Sequence, residues 1–175
     1  AFQIVFSIHN LTFAVALGLG LVAGVCVGNA VGKGMPKKAA WRTGIAAGLS
    51  AAIIGALALI LLILPYPIVA LFPAAKPVHL LAAAMLLPWA PFILFDGVQV
   101  VFVYALRSLG DQVAAGVNSI LAFFIITGGL GLWMVHSLGM GAFGLVWASG
   151  LGMLAAAILH GGRLLIVNSR FRSRS

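Results

Sequence analysis

From Thr43 to Phe72 the sequence TGIAAGLSAAIIGALALILLILPYPIVALF carries no charged side chain. That run exceeds the roughly 20 apolar residues an α-helix needs to cross a hydrocarbon core about 30 Å thick. Four more uncharged or nearly uncharged runs accompany it, at residues 2–31, 79–106, 113–135 and 142–167, separated by Gly, Pro or charge. All five are far longer than a barrel strand of about 9–11 residues, and none alternates with period two. The expected fold class is therefore all-α: a single transmembrane lobe of five helices, with connections short enough to make consecutive helices antiparallel. With 63% hydrophobic and 7% charged residues, the chain has too little polar surface to cover a water-soluble globule, so lipid is its expected solvent.

Ten Lys and Arg against two acidic residues give a net charge of +8. In a soluble protein such a balance would point to nucleic acid. Here the bases fall between apolar spans, so they record topology and no nucleic-acid partner is expected. Lys33, Lys37, Lys38 and Arg42 join the first two spans, Arg107 follows the third, and Arg163, Arg170, Arg172 and Arg174 follow the fifth; only Lys76 lies on the other side. The positive-inside rule then places residue 1 outside and the C-terminus in the cytoplasm, with the tail RFRSRS beside anionic headgroups. The chain opens on Ala1 without a basic n-region or a small-residue cleavage site, and so reads as the continuation of a longer polypeptide. Cys26, the single cysteine, permits no intrachain disulfide and reads as a small core residue. His9, His79, His136 and His160 stand at no ligand spacing, so no metal site is expected.

Gly20, Gly24, Gly28 and Gly32 recur every four residues along the first span. That spacing draws a smooth stripe on which another helix backbone can pack closely. Looser ladders of the same kind occur at Gly44, Gly48, Ala52 and Ala56 and at Ala148, Gly152 and Ala156.

Two stretches carry a family resemblance. VGNAVGKGMPKKAAW, from Val27 to Trp41, resembles the segment after the second helix of a lobe in the multidrug and toxic compound extrusion (MATE) transporters. FDGVQVVFVYALRSLGD, from Phe95 to Asp111, is similar to the fourth helix of the C-terminal lobe. The order and separation of the two stretches, and the five-span layout, fit that family along essentially the whole chain. The resemblance implies the last five helices of a twelve-helix, two-lobe carrier, with the seventh helix and the N-terminal lobe outside this chain. It also implies a bacterial inner (plasma) membrane location. Four positions depart from the pattern: Ser108 replaces a usual Gly, Gln112 a common Thr and Ile93 a frequent Gln, while Phe92 stands where some sodium-linked members place a Tyr.

Asp96 is the residue most expected to carry chemistry. It lies eleven positions before Arg107, about 16 Å from that end of its helix and near the middle of the core. A carboxylate there costs about 2.5–3.5 kcal/mol by insertion scales, so it is expected to face a cavity and bind a proton, a metal cation or a cationic substrate. The alternative is a protonated carboxyl held by hydrogen bonds for packing. Gln99 shares its helix face, and Pro88 and Pro91 shortly before it free backbone carbonyls, as in helices that line transport paths. Trp89 offers a surface on which a cationic aromatic compound can stack. Asn118, with Ser119, Thr127, Asn10 and Thr12, is suited to lining a pore or to bonding between helices. Arg107 and Asp111 flank a Gly-containing turn, where a salt bridge or a helix-end interaction is expected, as a cytoplasmic gate or structural element.

The function these residues imply is secondary active efflux of cationic or amphipathic compounds in exchange for protons or sodium ions, without a cofactor. The partners are the bilayer, small cationic substrates and the missing lobe. A non-transporting membrane module and a lipid-linked oligosaccharide flippase are the alternatives. An intramembrane enzyme is disfavoured by the lack of HExxH and GxSxG.

Overall fold

The computed structural model describes residues 1–172. The Arg174 position of the basic tail lies outside the described residues. The helices are α1 (Phe2–Gly32), α2 (Pro36–Ile63), a short α3 (Pro65–Val69), α4 (Lys76–Ser108), α5 (Gln112–Ile120), a π-helical segment (Leu121–Gly128), α6 (Gly129–His136) and α7 (Ala142–Arg172), with no strand among the described residues. Because α5, the π segment and α6 follow one another without a break, the described residues form five helical crossings long and apolar enough to span a bilayer. It is an all-α, multi-pass membrane protein.

The boundary that departs furthest from expectation is the second span. Its helix begins at Pro36 rather than residue 43, and stops at Ile63 rather than 72. The early start places Lys37, Lys38 and Arg42 on the helix, where long stems let their charges reach the interface, and Pro36 occupies a first-turn position that lacks no needed donor. The early stop is caused by Pro65, whose ring disfavours helical geometry in Leu64 (φ −123°, ψ 46°). α4 likewise starts earlier than expected, at Lys76 with Pro77 in its first turn, and continues through Pro88 and Pro91.

Both α1 and α4 end in the same way at the basic end. Gly34 (φ 66°) and Gly110 (φ 81°) adopt the left-handed conformation, and Met35 and Asp111 donate back to the carbonyls of Ala30 and Leu106, each at 2.9 Å. These are Schellman caps, and they supply partners to carbonyls that would otherwise be orphaned.

α4 is the central helix, packed against α1, α2 and α7, while α7 also covers the π segment and α6. Trp89, Met85, Leu86 and Ile93 of α4 are buried in one core with Val5, Ile54 and Val146. A second core at the basic end joins Val27, Ala105, Leu106, Ala115 and Leu164. Large apolar side chains such as Leu11, Ile63, Leu71 and Phe124 remain more than 70% exposed, as suits a protein whose solvent is lipid.

The glycine stripe is used over half its length. A Cβ on Gly20 would stand 2.8 Å from both Tyr104 and Val100 of α4, and one on Gly24 would meet Ser108 Oγ at 3.4 Å. Gly28 is in ordinary contact range of Ser108, and Gly32 has nothing within 4 Å, so the close approach does not extend to Gly32. The two helices lie side by side from Phe2 and Trp89 to Gly24 and Ser108, and α4 ends at Ser108 before it can reach Gly32. Gly44 and Gly48 also face open space, whereas Gly152 is pressed against Thr127 of the π segment. Ser108 donates to the Gly24 carbonyl at 2.9 Å and ties the two helices together.

α2 meets α4 most closely beside Asp96. Ser50 donates to the Gly97 carbonyl at 2.9 Å, and a Cβ on Gly97 would stand 2.6 Å from Ile54 Cγ1. Ile54 is fully buried, so Gly97→Ala is expected to destabilise the protein by about 1–3 kcal/mol through overpacking. The check is the melting midpoint of the detergent-solubilised protein; an unchanged midpoint would mean that α2 withdraws freely.

Candidate functional site

The packing of α1 along α4 places a histidine against the intramembrane carboxylate. Asp96 is 3% exposed and Gln99 is 4% exposed. One helical turn brings Gln99 Nε2 to donate to Asp96 Oδ1 at 3.1 Å. His9, from α1, points Nε2 at the other oxygen, 3.9 Å away. That is beyond hydrogen-bond length but close enough for strong electrostatic coupling where water is scarce. His9 Nδ1 is buried and has no hydrogen-bond partner among the described residues.

These groups line a cavity of about 380 Å³ together with Val100, Tyr104 and Arg107 of α4 and with Ser119, Phe123 and Met153. Ser119 and Phe123 sit at the junction of α5 with the π segment. The backbone of this segment, Leu121–Gly128, winds with the wider π-helical turn, and near its end the Thr127 hydroxyl donates to the Ala122 carbonyl at 3.1 Å. Wide turns of this kind are frequent at functional sites.

The other candidates fall elsewhere. Trp89 is 2% exposed and lies stacked between Phe2 and His9, 5.1 Å from the imidazole centroid, with Nε1 unpartnered among the described residues. It supports His9 from behind and offers no open face to a ligand. Asn118 points away from the cavity and donates to the Leu159 carbonyl of α7 at 3.1 Å. Phe92 packs edge-on against Trp147, and Gly150 of α7 lies against its ring. Cys26 is exposed, not a core residue.

The expected Arg107–Asp111 pair does not form. Arg107 lies over the Tyr104 ring, 5.6 Å from its centroid, and lines the cavity. Asp111 is instead held by Arg163 of α7 in a two-pronged contact, Nε to Oδ2 at 2.5 Å and NH2 to Oδ1 at 3.0 Å. The turn geometry explains this: the Gly110 cap swings Asp111 off the face that carries Arg107. The Arg163 hydrogen bonds hold the Asp111 carboxyl below the usual carboxylate range. The stabilisation is therefore complete above the unfolded-state pKa and is lost as pH falls through the lower folded value. Asp111→Asn and Arg163→Gln are each expected to lower the melting temperature at neutral pH, with the double variant no worse than the more affected single. The wild-type advantage should disappear on acidification, and a difference that persists in acid would exclude the ion pair as its source.

His9 is the residue that sequence spacing did not reveal. A histidine inside an uncharged apolar run was the available signal, although His9 lies nearer the start of its span than the middle. His160, also unremarked by spacing, is fully buried with Nδ1 2.7 Å from the Ala156 carbonyl and Nε2 3.2 Å from that of Ala115, joining α5 to α7.

Comparison with known proteins agrees with this architecture. The MatE family model matches residues 1–133. The multidrug resistance protein NorM of Burkholderia vietnamiensis is 32% identical over 174 residues, covering 97% of this chain and 38% of that protein. A probable NorM of Pseudomonas putida is 32% identical over 166 residues, covering 90% of this chain and 35% of that protein. The chain thus spans well under half the length of the curated relatives it matches. Among solved structures, the eukaryotic MATE transporter AtDTX14 superimposes with a TM-score of 0.85 at 18% identity, covering 98% of this chain and 40% of that one. An inward-facing multidrug resistance MATE transporter of the MOP superfamily gives 0.88 at 16% identity, again with 98% and 40% coverage. Five matching crossings, the family model over most of the length and relatives at 32% identity together make this chain a member of the MATE family.

Proposed function

We propose that this chain forms most of one lobe, the C-terminal one, of a secondary active efflux carrier that exchanges cationic or amphipathic compounds for protons. The observation that carries the reading is the His9–Asp96 pair in the wall of the cavity. A buried carboxylate needs a compensating positive charge or a proton, and the cost of leaving it bare is what a carrier can use to couple an ion to a conformational change. The imidazole beside Asp96 supplies a second proton-binding group. Hard cations such as sodium favour sets of oxygen ligands, whereas the imidazole beside the carboxylate offers none and Gln99 turns its Nε2, not its amide oxygen, toward Asp96. Phe92, directed at α7, adds no oxygen.

The apolar and aromatic lining (Phe13, Leu17, Val100, Phe123) suits an amphipathic compound, with the Asp96 carboxylate available to a cationic group. Alternating access in such carriers comes from one lobe rocking against another around a mid-membrane site, so this chain is expected to act with a second lobe. The distribution of basic residues supports a cytoplasmic location for the Lys33–Arg42 connection, the Arg107–Gln112 turn and the C-terminal end of α7, in a bacterial inner membrane.

The test is efflux of a fluorescent cation from cells expressing the complete transporter, with proton and sodium gradients collapsed separately. Loss of efflux when the proton gradient alone is collapsed is the expected result. Efflux that follows the sodium gradient would overturn the choice of ion, and efflux indifferent to both would overturn the coupled-carrier reading.

A further inference from the structure

Away from the Asp96 cavity, between α1 and α2 near their basic ends, lies a groove of about 470 Å³ lined by Val22, Cys26, Asn29, Arg42, Ala46 and Leu49. Along α1, Val22 to Asn29 spans about 10 Å of helix. The groove is amphipathic along its length: one end is aliphatic, and the other carries Asn29 and Arg42. Arg42 is fixed there, its Nη1 donating to the Cys26 carbonyl at 2.7 Å. A guanidinium has five N–H donors in a planar fork, so others remain for a phosphate.

Lys38 lies one turn before Arg42 on the same face of α2, which continues through Ala46 to Leu49. Lys33 and Lys37 belong to the adjoining turn, and all three lysines are exposed. No carboxylate answers this charge. The sequence holds only two, Asp96 in the other cavity and Asp111 on Arg163. A transmembrane helix covering the groove would leave the Arg42 charge against apolar side chains, whereas a ligand with an anionic head and a hydrocarbon tail satisfies both ends. Basic pockets between transmembrane helices bind anionic lipid headgroups on these grounds.

We propose that the α1–α2 groove is a binding site for one anionic phospholipid, with its phosphate on Arg42 and Lys38 and an acyl chain laid over Val22, Ala46 and Leu49. The site is independent of which ion drives transport. Phosphatidylglycerol is the probe, with phosphatidylcholine as the zwitterionic control. Both are titrated onto the delipidated complete transporter in neutral detergent and counted as retained adducts by native mass spectrometry.

Wild type is expected to retain one phosphatidylglycerol in preference to phosphatidylcholine. Lys38→Gln and Arg42→Gln should each weaken retention about five-fold. Lys76→Gln, at the opposite end, should leave it unchanged. Ala46→Phe, which fills the groove while keeping every charge, should remove the adduct. If Arg42→Gln fails to fold for want of its Cys26 bond, Lys38→Gln and Ala46→Phe decide the matter.

Equal retention of the two lipids, unweakened binding in Lys38→Gln, or an adduct that survives Ala46→Phe would overturn the proposal. Full competition by glycerophosphoglycerol, which has the headgroup without acyl chains, would overturn it as well, by reducing the site to a phosphate patch. So would failure of wild type to retain any phosphatidylglycerol, the result if another part of the transporter covers the groove.

Discussion

Asp96→Asn, introduced into the complete transporter, is expected to reduce gradient-dependent efflux to the level of cells lacking the transporter, while expression and membrane insertion stay at wild-type level. Asn is nearly isosteric and uncharged, and its side-chain oxygen still accepts from Gln99 Nε2, so the α4 packing around it survives. It also avoids the roughly 2.5–3.5 kcal/mol that a charged Asp costs at mid-membrane depth. What it loses is the ability to take up and release a proton. Dye efflux at matched protein levels is the measurement. Full gradient-dependent efflux by the variant would remove Asp96 from the coupling step, and loss of the protein from the membrane would make Asp96 a structural hydrogen-bonding group.

The second large effect is expected at His9, and its signature is a divergence between stability and activity. His9 is surrounded by Phe6, Phe13 and Trp89 rings, and its buried Nδ1 lacks a partner among the described residues. An unsatisfied buried polar atom costs about 1–3 kcal/mol. His9→Phe is therefore expected to leave the melting midpoint unchanged or raise it, while cutting proton-driven efflux at least ten-fold. A histidine kept for packing predicts the reverse, a lower midpoint with transport intact. Melting and efflux measured on the same preparations separate the two.

The five crossings were legible because hydropathy over about 20 residues is a one-dimensional property of the chain. Their ends were less so. The charges at Lys37, Lys38 and Arg42 read as loop and put the start of the span at residue 43, yet a helix can carry them at the interface. The break at Leu64 was written in Pro65, but an apolar run conceals a change of backbone direction.

Within the site, the Asp96–Gln99 contact followed from helical spacing alone. The His9–Asp96 and Arg163–Asp111 contacts each join residues far apart in sequence, and depend on how α1 and α7 pack against α4. Arg107 and Asp111 were paired in expectation because they are near in sequence; the left-handed Gly110 turn sends them in different directions. Local spacing finds groups on one helix face, and it fails where the partner comes from another helix.

Proton exchange at Asp96 is tested most directly by watching the proton itself. The complete transporter, reconstituted in liposomes with a trapped pH-sensitive dye, is supplied with a cationic substrate while the membrane potential is clamped. Substrate-triggered proton movement opposite to the substrate is expected in wild type, and none in Asp96→Asn. Substrate transport by wild type without proton displacement, or equal proton displacement by the Asn variant, would contradict it.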